Sequence, residues 1–192
     1  MTAPLQDPIV SSRRGRFLGG MLKALACPIF EWFSFPCGEQ KTDLGMLADI
    51  RIRPAVAADL LRVSSFLNEN GLPTIGVEKC LGNFVVAQDK NGSWIGIAGF
   101  EVYGKSGLLR SVAVDERFRG TGQGRGLVEA VLGNAKAKGV ETIYLLTDTA
   151  EAYFSGLGFE ALDRKDIDEA VKASPEFGEC CETAVAMRIR IK

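Results

Sequence analysis

The chain of 192 residues is long enough to bury a full core and suits one domain with an appendage rather than two domains. Lysine plus arginine (23) nearly balances aspartate plus glutamate (24), which excludes the global basic field that holds nucleic acid without sequence preference. Histidine is absent, removing the commonest general base and metal ligand, so any acid–base chemistry falls to carboxylates, tyrosine, cysteine, lysine or water. The cysteines Cys27, Cys37, Cys80, Cys180 and Cys181 are odd in number and lack zinc-like paired spacing, which points to a reduced, cytoplasmic chain without a metal.

Residues 1–47 differ in character from the rest. Three arginines precede an aromatic and apolar run that Lys23, Pro28, Glu31 and Pro36 interrupt, so it is too short and too broken for a membrane span. An export signal would have the same basic start, but Lys23 falls inside its would-be apolar region. The expectation is a weakly ordered extension over 1–47 and one domain over 48–192, with Met46 an alternative start.

From Ile50 the pattern becomes regular. "IRIRPA" alternates apolar and charged residues up to Pro54 and predicts a short strand. Asp59 to Asn70 predicts a helix, with apolar Leu60, Val63 and Leu67 and a closing Gly71. "NFVVAQ" and "SWIGIAGFEVYG" predict antiparallel strands joined by a hairpin, because Asn91-Gly92 favours positive backbone angles. "GLLRSVAV" adds a strand to Val114, and Gly124 to Lys138 carries a helical stripe of Leu127, Val128, Val131, Leu132 and Ala135 before Gly139. "ETIYLLT" has the apolar run of a buried central strand. A short helix "TAEAYFSGLG", the segment "FEAL", a polar helical stretch from Asp166 to Ala173 and a last strand "TAVAMRIRI" complete the order, with Val185, Met187, Ile189 and Ile191 on one face. The fold class is α/β (α+β), a single mixed sheet flanked by helices.

Between a strand end and a helix start lies "RFRGTGQGRG", Arg117 to Gly126. The free amides and partial positive charge of a helix N-terminus make an anion site, glycines let the backbone approach, and Arg119 and Arg125 add charge. A dinucleotide fingerprint would need glycine five positions after its first, but Arg125 follows Gly120 and Leu127 follows Gly122 at that distance; a P-loop would need Gly-Lys-Ser/Thr, which is missing. Arg119-x-x-Gly122-x-Gly124 instead strongly resembles the R/Q-x-x-G-x-G/A pattern of the GNAT superfamily of acyltransferases. "SVAV" before the loop, "AKAKGV" after its helix and "LLTDTAEAYFSGLGF" downstream extend the resemblance over roughly residues 48–192.

That resemblance implies acetyl transfer from acetyl-CoA to an amine by direct attack on the thioester. Val112, Ala113 and Val114 would lie along the pantetheine arm, with strand-bulge amides on the thioester oxygen; Val112 and Val114 also read as ordinary strand core. Arg119, Gly120, Thr121, Gly122, Gln123, Gly124 and Arg125 would bind the pyrophosphate. Many members place an acid tyrosine four residues before the glycine of the last helix, but that position is Phe154; the neighbouring Tyr153 points about 100° away around a helix, so it reads as acid or as a packing contact. With no histidine, the proton acceptor would be Glu101 or a water held by Ser111.

"GLP", "LLRSVAV" and the tail "SPEFGECCETAVAM" look closest to small acetyltransferases found with arsenic-resistance genes, and the "LLTDTAEAYFSGLGF" signature also resembles the acetyltransferase domain of N-acetylglutamate synthases. Both imply a small-molecule amine or amino-acid acceptor, without nucleic acid or a transmembrane segment, and allow a homodimer. Carboxylates on the acceptor would call for Arg110, Arg164 or Lys165, each of which also reads as a solvated charge. Cys180-Cys181 reads as buried or incidental thiols before a metalloid site. The competing reading is a non-catalytic module that binds acetyl-CoA or docks a partner, supported by Phe154 and the missing histidine.

Overall fold

The computed structural model describes residues 49–179 and 183–191. The extension over 1–47, Met46 and the Cys180-Cys181 pair lie outside the described residues. The elements run β1 (Arg51–Pro54), α1 (Leu60–Glu69), α2 (Val77–Cys80), β2 (Val85–Gln88), β3 (Trp94–Tyr103), β4 (Ser106–Val114), α3 (Gln123–Ala137), β5 (Thr142–Thr147), α4 (Glu151–Ser155), β6 (Glu160–Leu162), α5 (Glu169–Lys172), α6 (Pro175–Glu179) and β7 (Val185–Arg190). All seven strands join one sheet in the order β1-β2-β3-β4-β5-β7-β6, in which β4 and β5 are the parallel pair and every other pairing is antiparallel.

Helices cover both faces. On one face α3 buries Leu127, Val128, Val131 and Ala135, and α4 buries Phe154, against Phe100, Leu109, Ile143, Leu145 and Met187. On the other, α1 and α2 bury Val63, Phe66, Leu67 and Val77 against Phe84, Val86, Ile97 and Ala113, while α5 places Val171 on Leu108, Tyr144 and Ala186. Both faces of β7 are covered, Met187 by the α3 and α4 side and Ala186 by Ile167 and Val171 on the other. Val185, Met187, Ile189 and Ile191 share the face toward α3 and α4, as their alternation predicts.

The hairpin between β2 and β3 differs from expectation. Only Gly92 takes a positive φ, +79°, and the Asp89 carboxylate organises the turn by accepting from the amides of Asn91 and Ser93, each at 2.8 Å. The polar stretch after β6 is broken, because Asp168 leaves the helix to cap α5 through the Ala170 amide (3.0 Å) and to accept from the Ser106 hydroxyl (2.7 Å).

Two features of β4 position the site. Its parallel pairing with β5 lasts for Ser106, Gly107 and Leu108 and then stops, although β4 runs on to Val114 beside β3 and β5 runs on to Thr147 beside β7. Within the same stretch β4 carries a bulge: Ile97 faces Ala113 and Gly99 faces Arg110, so β4 spends one more residue than β3. Ser111 in that bulge has φ +58°, the one positive value outside glycine among the described residues, a conformation that costs a side-chain-bearing residue about 1 kcal/mol or more.

Gly99 beside the bulge has no room for a side chain, since a Cβ there would lie 2.4 Å from the fully buried Phe84 ring. Gly99→Ala is expected to lower stability by about 1–3 kcal/mol in urea unfolding. An unchanged midpoint would mean that the sheet beside the bulge is not packed as described.

Candidate functional site

The site grows from the end of β4. Asp115 accepts from the Arg117 amide (3.0 Å) and takes the Arg117 guanidinium in a two-pronged ion pair (Nε 3.0 Å, Nη2 2.8 Å), closing a tight turn over 116–118. That guanidinium, through its hydrogen bond first, holds the Asp115 carboxyl below its ordinary value. Arg117 thus braces the turn that launches the loop.

Arg119 reaches back from the loop and donates to the Val114 carbonyl (3.1 Å) and to Asn70 Oδ1 at the end of α1 (3.4 Å). Thr121 donates to the Phe118 carbonyl at 2.6 Å. Gly120 and Gly122 take φ of +75° and +90°, and a Cβ on either would meet nothing within 4 Å, so both glycines turn the chain under open space. Gly122 is the residue before α3 and brings no side-chain cap, and the helical bonding begins with the Gly126 amide on the Gly122 carbonyl (3.1 Å). The amides of Gln123, Gly124 and Arg125 therefore precede the first helical bond and point out of the helix end. Arg125 lies at the rim, donating to the Gly156 carbonyl (3.2 Å) and 3.5 Å from Glu129. This is an anion cradle: outward amides, a helix N-terminus, and glycine where a ligand would approach.

Gly124 serves a different need. A Cβ on it would lie 2.6 Å from the Tyr153 hydroxyl, so α4 packs its tyrosine directly on the first turn of α3. The hydroxyl is buried, without a hydrogen-bond partner among the described residues, and burial raises its pKa. Phe154 points into the core, edge-on to Tyr153 (5.2 Å between centroids) and to Phe159 (5.6 Å). Phe154, at the position where the resemblance implies an acid tyrosine, is thus core, and its neighbour Tyr153 packs at the cradle with its hydroxyl pKa raised by burial.

On the opposite face the bulge leads into a polar network. Arg110, next to Ser111, has a fully buried side chain. It forms a short ion pair with Glu101, lies 2.6 Å from Glu176 through Nε, donates to the Ile75 carbonyl (2.8 Å), and donates to Ser111 Oγ at 3.3 Å. Tyr103 donates to the other Glu101 oxygen at 2.5 Å, and burial followed by that bond pushes its pKa up to about 12. Burial works against the charge of Arg110, but Glu176 and Glu101 outweigh it and hold its pKa above the ordinary value. Glu101 and Tyr103 line a cavity of about 450 Å³ together with Lys79, Cys80 and Ala173. Burial pushes the Cys80 thiol up to about 11, away from the thiolate.

The structure therefore gathers the expected residues in two groups. Val112, Ala113 and Val114 lie on the stretch of β4 that has parted from β5, and Arg119 to Arg125 follow directly; Glu101 and Ser111 meet through Arg110, and Tyr153 lies across the sheet at the cradle. Arg110 is buried rather than solvated, a correction to the surface reading. Arg164 lies over the Phe177 ring (4.9 Å), and Lys165 is exposed beside Asp163 at 2.8 Å. Sequence reasoning missed the Glu176 contribution. The signal present was a lone charge inside each of two apolar strands, Glu101 and Arg110, which in a buried strand requires partners.

Residues 81–161 match the family model described as the acetyltransferase (GNAT) domain. Among solved structures, N-acetylglutamate synthase from Neisseria gonorrhoeae, in complex with coenzyme A and N-acetyl-glutamate, is similar with a TM-score of 0.65 and 18% identity, covering 76% of this chain and 36% of that one. The chain thus spans about a third of that synthase. An acetyltransferase of the GNAT family from Staphylococcus aureus has a TM-score of 0.61 at 18% identity, covering 75% of this chain and 100% of its own. Rv2747 from Mycobacterium tuberculosis, in complex with CoA and NLQ, has a TM-score of 0.60 at 18% identity over 74% of this chain and 99% of that one. Likeness at these identities establishes the fold: the sheet with its parted β4 and β5 is the GNAT fold.

If Tyr153 is seated on Gly124 as described, Gly124→Ala should destabilise the protein by about 1–3 kcal/mol, and adding Tyr153→Phe should recover a large part of that loss. A double-variant cycle by urea unfolding checks this. Strict additivity would mean that the two residues do not touch.

Proposed function

We propose that this chain, built on a GNAT acetyltransferase domain, transfers the acetyl group of acetyl-CoA to the amine of a small amino-acid-like acceptor. The observation that carries the reading is the early parting of β4 from β5 beside the uncapped, glycine-lined N-terminus of α3. Acetyl-CoA would supply an activated thioester carbonyl. In this chain the Gln123, Gly124 and Arg125 amides, with the open approach over Gly120 and Gly122, would hold its pyrophosphate, and Thr121 would fix the loop from behind. The unpaired edge of β4 from Val112 to Val114 would bind the pantetheine arm as an added strand would, and the amides of the Ser111 bulge would donate to the carbonyl oxygen.

On the acceptor side, Ser111 orients a water that takes the proton of the amine. Both Glu101 oxygens are engaged, with Arg110 and Tyr103, so Glu101 acts by its negative charge on the emerging cation rather than as an idle base. Tyr153, kept protonated by burial, is the donor available to the leaving thiolate. A cytoplasmic setting and a role in arsenic resistance belong to the same proposal; the first rests on the cysteine usage and the second on the sequence resemblance. Support for an amino-acid-like acceptor comes from the Neisseria gonorrhoeae synthase, solved once with N-acetyl-glutamate and once with L-arginine.

Thiol release from acetyl-CoA, followed across amino acids, phosphinic and arsonic analogues and polyamines, is the test. At least one acceptor should turn over; Arg119→Ala should raise the acetyl-CoA KM roughly tenfold or more, since it severs the loop from Val114, and Glu101→Gln should lower kcat and change the pH profile. Acetyl-CoA binding without transfer to any amine would favour the non-catalytic module. An unchanged kcat and pH profile in Glu101→Gln would remove Glu101 from the support of that proton transfer.

A further inference from the structure

The cavity of about 450 Å³ beside Glu101 and Tyr103 falls within the size range of small-molecule sites, and no residue of the Arg119 to Arg125 cradle lines it. It is a second compartment. Its two charged lining residues differ in what they already hold. Glu101 is engaged by Arg110 and by Tyr103. The Lys79 ammonium, exposed on α2, makes no hydrogen bond or ion pair among the described residues. Asn83, also in the lining, accepts from the Lys138 ammonium through Oδ1 at 2.6 Å, which leaves the two protons of its amide nitrogen to be donated. The cavity therefore joins a committed carboxylate to an uncommitted ammonium and an amide donor.

The backbone ties these groups to the bulge. Gly76 begins α2 with φ +74°, and a Cβ on it would lie 3.6 Å from Arg110 Nη1 and 4.0 Å from Glu101 Oε1, so the helix starts on that ion pair. The Lys79 amide donates to the Gly76 carbonyl (3.1 Å), which puts Lys79 one turn, about 5 Å, along the helix from Gly76. On its other edge Arg110 donates to Ser111 Oγ at 3.3 Å, so a single guanidinium separates Glu101 from the bulge. We infer that this cavity is the acceptor site, and that Lys79 with Asn83 holds an oxyanion of the acceptor, a carboxylate or a phosphonate, while the acceptor's amine turns toward Glu101 and the bulge. An amine without an anionic group leaves Lys79 unanswered, and a polyamine meets the wrong charge there. What happens to the amine rests on the acetyl-transfer reading; the oxyanion holder does not.

Binding alone tests the site. The full chain, with and without CoA, is titrated calorimetrically with the common L-amino acids, with their α-carboxamides, with aminomethylphosphonate and with putrescine. At least one of the acids should bind, and putrescine should not. Lys79→Gln should weaken that acid roughly tenfold or more, Lys79→Arg should restore it, and Asn83→Ala should weaken it in the same direction. Carboxylate and phosphonate arms separate the two sources of oxyanion, and the carboxamides show whether an α-carboxylate is the group held. CoA affinity should stay unchanged throughout, because the cradle lies outside the cavity. If no acid binds, if Lys79→Gln binds it as tightly, if putrescine binds as well, or if CoA affinity falls equally, the site is wrong. Lysine-dependent acid binding without acetyl transfer would retire the transfer reading and keep the site. Transfer to an acid whose KM is unmoved in Lys79→Gln would retire the site alone.

Discussion

The parting of β4 from β5 after Leu108 is the constraint on which the rest of the molecule depends. A parallel pair in the middle of a sheet would ordinarily continue, because each unpaired amide and carbonyl forfeits a bond that burial makes expensive. Here the two strands keep their outer partners, β3 and β7, and give up each other. The bulge at Ser111 is the local device: an extra residue in a left-handed conformation bends β4 and turns a row of backbone groups toward a gap. The strain and the unmet bonds gain meaning if an extended ligand fills the gap and pairs with that edge.

The two ends of the gap differ in chemistry. At one end the α3 N-terminus, Gly120 and Gly122 offer amides and space, and Arg119 is turned back onto Val114 so that the loop is tied to the strand it follows. Gly124 is needed for α4 rather than for the ligand, because Tyr153 occupies the space above it. At the other end Arg110 collects Glu101, Glu176 and the bulge hydroxyl around one buried charge. An anion holder and a carboxylate-rich arginine site thus stand on either side of a backbone groove, the arrangement a two-substrate transfer needs.

Much of the fold was legible in the sequence because its periodicities are strong. The stripe of α3, the apolar β5 and the loop glycines are local patterns, and the structure places each where its spacing predicts. The features that were not legible are those set by tertiary neighbours. Ala186 is buried because Ile167 and Val171 close over its face of the sheet, which no alternation within β7 can announce. The hairpin turn depends on the Asp89 side chain, and the single positive φ falls on Gly92 because Asp89 supplies the other bonds. Arg110 read as a surface charge because its partners lie 9 residues back at Glu101 and far ahead at Glu176. The loop's make-up of glycines and arginines before a helix start was legible from residue types; the Arg110 network was not, since it is assembled from four separate elements.

The most direct measurement is hydrogen–deuterium exchange of the full chain with and without acetyl-CoA. Exchange should slow at the amides of Val112 to Val114 and of Gln123 to Arg125 together, because one ligand spans the strand edge and the helix end. Exchange unchanged at both segments, or slowed only around the cavity beside Glu101 and Tyr103, would contradict it.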